Sequence, residues 1–140
     1  MPESYLITGG AGFIGTNLAA HYLDRQKRVT ILDNLSRRGS LENLQWLQTR
    51  YGNLLEVVRT DVRELSRDLE AAVERADVVY HLAAQVAVTT SVVNPIEDFE
   101  VNARGTLNVL EAVRRSRSQP RRCASTPPSP CSLRSPGRCW

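Results

Sequence analysis

The sequence has no cysteine before Cys123, no tyrosine after Tyr80, a single lysine (Lys27), and no apolar run near the ~18 residues that cross a bilayer. Each shortage excludes something. With no long apolar run and no basic-then-apolar leader, the chain reads as a cytoplasmic protein without a membrane partner. The three cysteines, Cys123, Cys131 and Cys139, are an odd number and fit no closed disulfide framework. Their spacing matches no zinc or redox motif, so no metal is expected. The four C-terminal arginines have no aromatics interleaved, which argues against a nucleic-acid partner.

Charge is unevenly placed along the 140 residues. Positions 1–117 hold 14 Lys/Arg against 15 Asp/Glu, whereas 118–140 hold four Arg and no acid. The same stretch contains every cysteine and five of the seven prolines, with no apolar period. Such a composition cannot offset the entropy of ordering. The expected organisation is therefore one α/β domain over 1–117 and a basic Pro/Ser/Arg/Cys-rich tail over 118–140, disordered and reading as a frameshifted or displaced segment. A chain of this length is one domain's worth, small for a complete two-substrate enzyme.

What the sequence does contain is organised around Thr8-Gly9-Gly10-Ala11-Gly12-Phe13-Ile14-Gly15, directly after the apolar run Tyr5-Leu6-Ile7. Gly10, Gly12 and Gly15 satisfy G-x-G-x-x-G, and Gly9, Gly12 and Gly15 satisfy G-x-x-G-x-x-G. In such a run the first glycine permits a tight strand-to-helix turn. The middle one lets a pyrophosphate approach bare backbone, and the last lets helix and strand pack closely. The helix N-terminus then presents free amides and partial positive charge to phosphates.

The rest alternates. Strands are expected over Ser4 to Thr8, Arg28 to Asp33, Leu54 to Arg59 and Asp77 to His81. Helices are expected from about Gly12 to Arg25, from a Ser40 cap to Tyr51, from Arg63 to Arg75, and from the Asn94-Pro95 cap to about Arg117. In the last helix Ile96, Phe99, Ala103, Leu107, Leu110 and Val113 keep helical spacing, and Asn102 calls for a buried polar partner. Strand–helix alternation predicts a Rossmann-type parallel sheet in the order 3-2-1-4, helices on both faces, ending before a fifth strand. The glycine turn, Asp33 and Ala83-Ala84 then line one crevice at the switch point. Asp33, about 20 residues past the turn, suits an adenosine ribose and repels a 2′-phosphate, favouring NAD over NADP. By pattern alone Asp61 reads as a cap or turn residue, and His81 as a satisfied core histidine.

Residues 5 to about 117 resemble the N-terminal half of the extended short-chain dehydrogenase/reductases, the NAD-dependent nucleotide-sugar epimerase/dehydratase family. The motifs that carry this are Thr8 to Gly15, Asp33-Asn34-Leu35-Ser36, Asp61-Val62, His81-Leu82-Ala83-Ala84-Gln85, and Asn102 with Gly105-Thr106. The run Gln85 to Ser91 with Asp98 to Asn102 is most similar to the CDP-paratose 2-epimerase branch. The resemblance implies NAD as cofactor, with Gly9, Gly12 and Gly15 forming the turn and Phe13 and Ile14 offering backbone to the pyrophosphate. It implies that Asp33 and Asn34 hold the adenosine ribose with Ser36 and Arg37 alongside, and that Asp61 and Val62 flank the adenine. Leu82, Ala83, Ala84 and Gln85 are implied beside the nicotinamide ribose with Asn102 behind them, and Ser91 near a nucleotide-sugar substrate. Members of the family are usually homo-oligomeric. The sequence departs from the family where a Tyr-x-x-x-Lys pair is due, so no catalytic residue is assigned. This chain is expected to be an inactive NAD-binding portion; the alternative is a non-catalytic NAD-sensing module.

Overall fold

Short, near-continuous apolar runs, buried on both faces in the central strands, produce a parallel sheet. The computed structural model describes residues 3–85, 88–116 and 122–124, the side chains of 88, 90 and 122–124 excepted. The strands are β1 (Ser4–Thr8), β2 (Arg28–Asp33), β3 (Leu55–Arg59), β4 (Val78–His81) and β5 (Arg122–Ala124), in the order β3-β2-β1-β4-β5. All pairs are parallel, with Thr8 opposite both Leu32 and His81. That register brings the C-terminal ends of the three central strands to one edge, where an open α/β sheet binds ligands.

The helices are α1 (Phe13–Leu23), α2 (Ser40–Tyr51), α3 (Arg67–Glu74), α4 (Val88–Val93), α5 (Pro95–Phe99) and α6 (Gly105–Arg115). Because successive strand residues point to opposite faces, two cores form. One joins Ile7, Val29 and Ile31 to Ala19 and Leu23 of α1 and to Leu44 and Leu47 of α2. The other joins Leu6, Leu32 and Val79 to Leu69, Ala72 and Val73 of α3 and to Val109 and Ala112 of α6. Full burial of one of the leucine, isoleucine or valine side chains among them stabilises by about 1.5–3 kcal/mol. On the α1 face the Tyr5 and Tyr22 rings stack 3.8 Å apart, and the Tyr22 and Tyr80 hydroxyls meet at 2.6 Å.

Several expectations need correction. The sheet does not end at four strands: β5 adds Arg122, Cys123 and Ala124 opposite Val78, Val79 and Tyr80. Ladder pairing needs only backbone amides and carbonyls, and this window lies between Pro120 and Pro127; a strand at the end of the sheet need not be buried on both sides. The expected disorder of the rest of 118–140 lies outside the described residues. Ser40 is not a cap but the first residue of α2, behind Gly39 at φ 87°. The third helix starts later than expected, at Arg67, where the Ser66 hydroxyl accepts from the Leu69 amide.

The helix expected from Asn94 onward is in three pieces. Asn94 caps α5 by accepting from the Glu97 amide, with Pro95 in the first turn. A π-helical turn, Glu100–Arg104, then separates α5 from α6. The extra residue rotates the helix beyond it, so the core face of α6 is Gly105, Val109 and Ala112, while Ile96, Phe99, Leu107 and Leu110 are exposed.

Candidate cofactor site

The glycine turn is shaped by contacts no side chain could share. Gly9 has φ 67°, and a Cβ on it would sit 2.7 Å from the Ala83 nitrogen. The turn therefore lies directly on the small-residue exit of β4. A Cβ on Gly15 would run into the Gly9 carbonyl and lie 2.6 Å from the Gly10 Cα, so α1 closes onto its own turn only with glycine there. Gly12 is different: a Cβ there would meet a single atom, the Gly9 oxygen at 3.3 Å. The room over Gly12 is left open, as a cradle for a phosphate requires. Gly12 is also the cap of α1, with no side-chain cap bond and no acid in the first turn, so the first helix amides are free for an anion. Phe13 and Ile14 come next, 83% and 58% exposed, with their side chains outside both cores.

Asp33 ends β2 beside this turn. Its Oδ2 accepts from the Ala11 amide at 3.0 Å and its Oδ1 from the Leu35 amide at 2.8 Å. Leu35 is held at φ 57°, a left-handed conformation uncommon for a branched side chain. Asn34 turns the other way: its Nδ2 donates to Asp61 Oδ2 at 2.8 Å while its Oδ1 accepts from the Ser36 amide. Asp61 in turn accepts from the Arg63 amide, Nε and Nη2 at 2.9, 3.0 and 2.8 Å. The Arg63 guanidinium holds the Asp61 carboxyl down to about 2. Asp61 is thus a turn residue, as its pattern suggests, and also the anchor for Asn34. Val62 is 6% exposed, packed on Gly105, and its carbonyl accepts from Asn108 at 2.9 Å.

On the opposite side of the crevice the Arg37 guanidinium reaches the Ala84 carbonyl at 3.1 Å and Gln85 Oε1 at 3.3 Å. Asn102, in the π turn, pairs with both sides of the Gln85 residue: its Oδ1 accepts from the Gln85 amide at 2.8 Å and its Nδ2 donates to the Gln85 carbonyl at 3.1 Å. That is the polar partner its sequence position called for. Asn102 Nδ2 also donates to Asp98 at 3.0 Å, and Ser91 donates to the same oxygen at 2.8 Å. A chain of bonds therefore runs from α4 through α5 to the β4 exit, and Asn102 acts on the loop after Ala84.

Thr8, Ala11 and Thr106 lie in motifs legible in the sequence but carry no role there, and Asn43 and Arg63 stand outside every motif; all five brace the site. Asn43 donates to the Ala11 carbonyl at 2.9 Å from α2, a contact with no local signature. Burial pushes the phenols of Tyr5 and Tyr22 above their ordinary range, opposite to the lowering that an acid/base tyrosine needs. Among the described residues no three His, Cys, Asp or Glu side chains gather as a metal site, and no helix is long and apolar enough to cross a membrane.

A parallel sheet ordered 3-2-1-4, a glycine turn feeding a helix N-terminus, and an acid closing the second strand define a Rossmann-type α/β domain. The family model described as GDP-mannose 4,6 dehydratase matches residues 6–126, and the chain belongs to that family. It is 48% identical over 115 residues to the CDP-paratose 2-epimerase of Salmonella typhi, covering 81% of this chain and 33% of that protein. It is 38% identical over 115 residues to the dTDP-glucose 4,6-dehydratase of Mycolicibacterium smegmatis, covering 79% and 32%. Among solved structures, the Thermus thermophilus UDP-glucose 4-epimerase in complex with NAD matches with a TM-score of 0.67 at 41% identity, covering 79% of this chain and 33% of that one. The chain spans about a third of the length of these relatives. The resemblance read from the motifs, its epimerase branch included, agrees with these matches.

Proposed function

We propose that this chain is the NAD-binding portion of a nucleotide-sugar epimerase or dehydratase. The observation that carries the reading is the Asp33 carboxylate bonded to the Ala11 amide, which sets a ribose-binding acid against an open, uncapped glycine turn. Family membership and the NAD complex of the Thermus relative support the choice of cofactor. In this reading the amides of Phe13 and Ile14 receive the pyrophosphate over Gly12. Asp33 and Asn34 take the adenosine ribose with Ser36 and Arg37 beside them, and the Asp61-Val62 backbone bounds the adenine. Leu82, Ala83, Ala84 and Gln85 form the wall beside the nicotinamide ribose, held by Asn102. Ser91 stands toward the sugar.

When bound, NAD supplies reversible hydride transfer at a sugar carbon. The residues here bind and orient. The 140 residues contain no Tyr-x-x-x-Lys pair to move the hydroxyl proton, so by themselves they bind without turnover. Calorimetric titration of NAD and NADP against wild type and Asp33→Ala tests the assignment. NAD is expected to bind more tightly than NADP, with the mutation weakening NAD more than NADP. An unchanged NAD/NADP preference would sink the ribose assignment.

A further inference from the structure

One buried titratable group has no part in the ligand contacts proposed above, yet its environment is fully specified. His81 ends β4 and is 8% exposed. Its Nδ1 lies 2.7 Å from Thr8 Oγ1 and its Nε2 lies 3.0 Å from Thr106 Oγ1. Counting protons assigns the tautomer. Thr106 donates its one hydroxyl hydrogen to the Asn102 carbonyl at 2.6 Å, so toward His81 it can only accept, and Nε2 carries the proton. Thr8 Oγ1 faces the amides of Leu82 and Ala83 at 3.2 and 3.3 Å, the former shared with the Thr8 carbonyl. Its hydrogen is therefore left for Nδ1, which accepts.

We propose that His81 is a positioning residue for the cofactor crevice: as the neutral Nε2–H tautomer it ties Thr8, the last residue before the glycine turn, to Thr106 in the first turn of α6. Through Thr8 it also fixes the amides of Leu82 and Ala83, and Ala83 is the residue against which Gly9 packs. The link joins β1, the β4 exit and α6 in one hydrogen-bonded unit under the crevice floor. For its ligand, but not for its proton assignment, this rests on the reading of the site as an NAD site.

The unit tolerates one protonation state. A proton on Nδ1 would face a hydroxyl oxygen that two amides already approach, and the Thr8 hydroxyl hydrogen would lose its acceptor. The groups facing the ring are Thr8 from β1, the Leu82 and Ala83 amides, and Thr106 from α6. No charged side chain among the described residues acts on it, and burial alone moves its titration below the ordinary histidine range. Acidification should therefore loosen the turn before it unfolds the sheet.

The test is nitrogen NMR of the labelled chain across pH 5 to 8, paired with NAD titrations at the same pH values. Near pH 7.5 the His81 signals should be those of a neutral ring protonated on Nε2. The Gly9 and Ala83 amide signals should shift with the His81 titration. The NAD dissociation constant should rise about threefold or more between pH 7.5 and pH 5, and this dependence should flatten in His81→Gln, which is neutral throughout. An Nδ1–H tautomer, or Gly9 and Ala83 signals that ignore the titration, overturns the proposal; neither readout needs a variant or a ligand. Wild-type affinity that is flat with pH, or an equal slope in His81→Gln, overturns its bearing on binding. If NAD fails to bind at every pH while the tautomer and the coupled shifts are as stated, the NAD reading falls and the structural role of His81 stands.

Discussion

Asp33 accepts a hydrogen bond from the Ala11 amide across 3.0 Å, joining the tip of β2 to the glycine turn 22 positions earlier in the chain. An acid in this position therefore has a structural duty before any ligand arrives. Asp33→Ala leaves the Ala11 and Leu35 amides without that acceptor and should lower stability by about 1–2 kcal/mol in urea unfolding. Asp33→Asn keeps one acceptor oxygen and should lose about half as much. Equal stability of all three proteins would remove the carboxylate from the bracing of the turn.

Two glycines of the same turn should fail in opposite ways. Gly9→Ala combines a left-handed backbone with a Cβ pressed onto Ala83, and should cost roughly 3 kcal/mol or more. Gly12→Ala meets one protein atom, the Gly9 backbone oxygen, at a tight 3.3 Å, and should lower the melting temperature far less than Gly9→Ala while weakening NAD by roughly tenfold or more. Thermal melts with and without NAD separate the two effects. A Gly12→Ala protein that binds NAD normally would move the pyrophosphate elsewhere.

The Asp61–Arg63 pair gives an acid-side dependence of stability. The folded carboxyl titrates at about 2 against an ordinary 3.8, so the folded state binds its proton less readily than the unfolded chain. The resulting stability is present above pH 5 and is lost as pH falls toward 2. Arg63 is 40% exposed, so solvent screening holds the contribution to about 1 kcal/mol. Arg63→Met should remove this portion of the slope in unfolding midpoints taken from pH 6 to pH 2. Parallel curves for the two proteins would contradict it.

On α6, Val109 is 1% exposed and Leu107 is 57% exposed. Val109→Ala should cost about 1–3 kcal/mol in urea unfolding of this chain, and Leu107→Ser less than about 0.5 kcal/mol. The reverse order would mean that the π turn does not set the helix face as described.

Sequence alone determined the parts that depend on local chemistry. The order 3-2-1-4 is expected from the Rossmann pattern to which these motifs belong, whereas four strands, the turn at Gly9 to Gly15 and the place of Asp33 come from β-branched runs and glycine spacing, which act within a few residues. The Asn94-Pro95 cap was legible for the same reason. Tertiary structure decided the rest. Apolar residues lie on two faces of the segment from Ile96 to Val113, and periodicity cannot rank them. The choice was made by Asn102 pairing with Gln85 inside a π turn, and by Gly105 admitting the Val62 side chain against α6. Asp61 looked like any turn former until Arg63 and Asn34 converged on it. The strand at Arg122–Ala124 has no apolar signal because an edge ladder is made by backbone alone. The protonation state of His81 is set by three other residues' hydrogen bonds, since a tautomer is a property of the whole network and not of the residue that carries it.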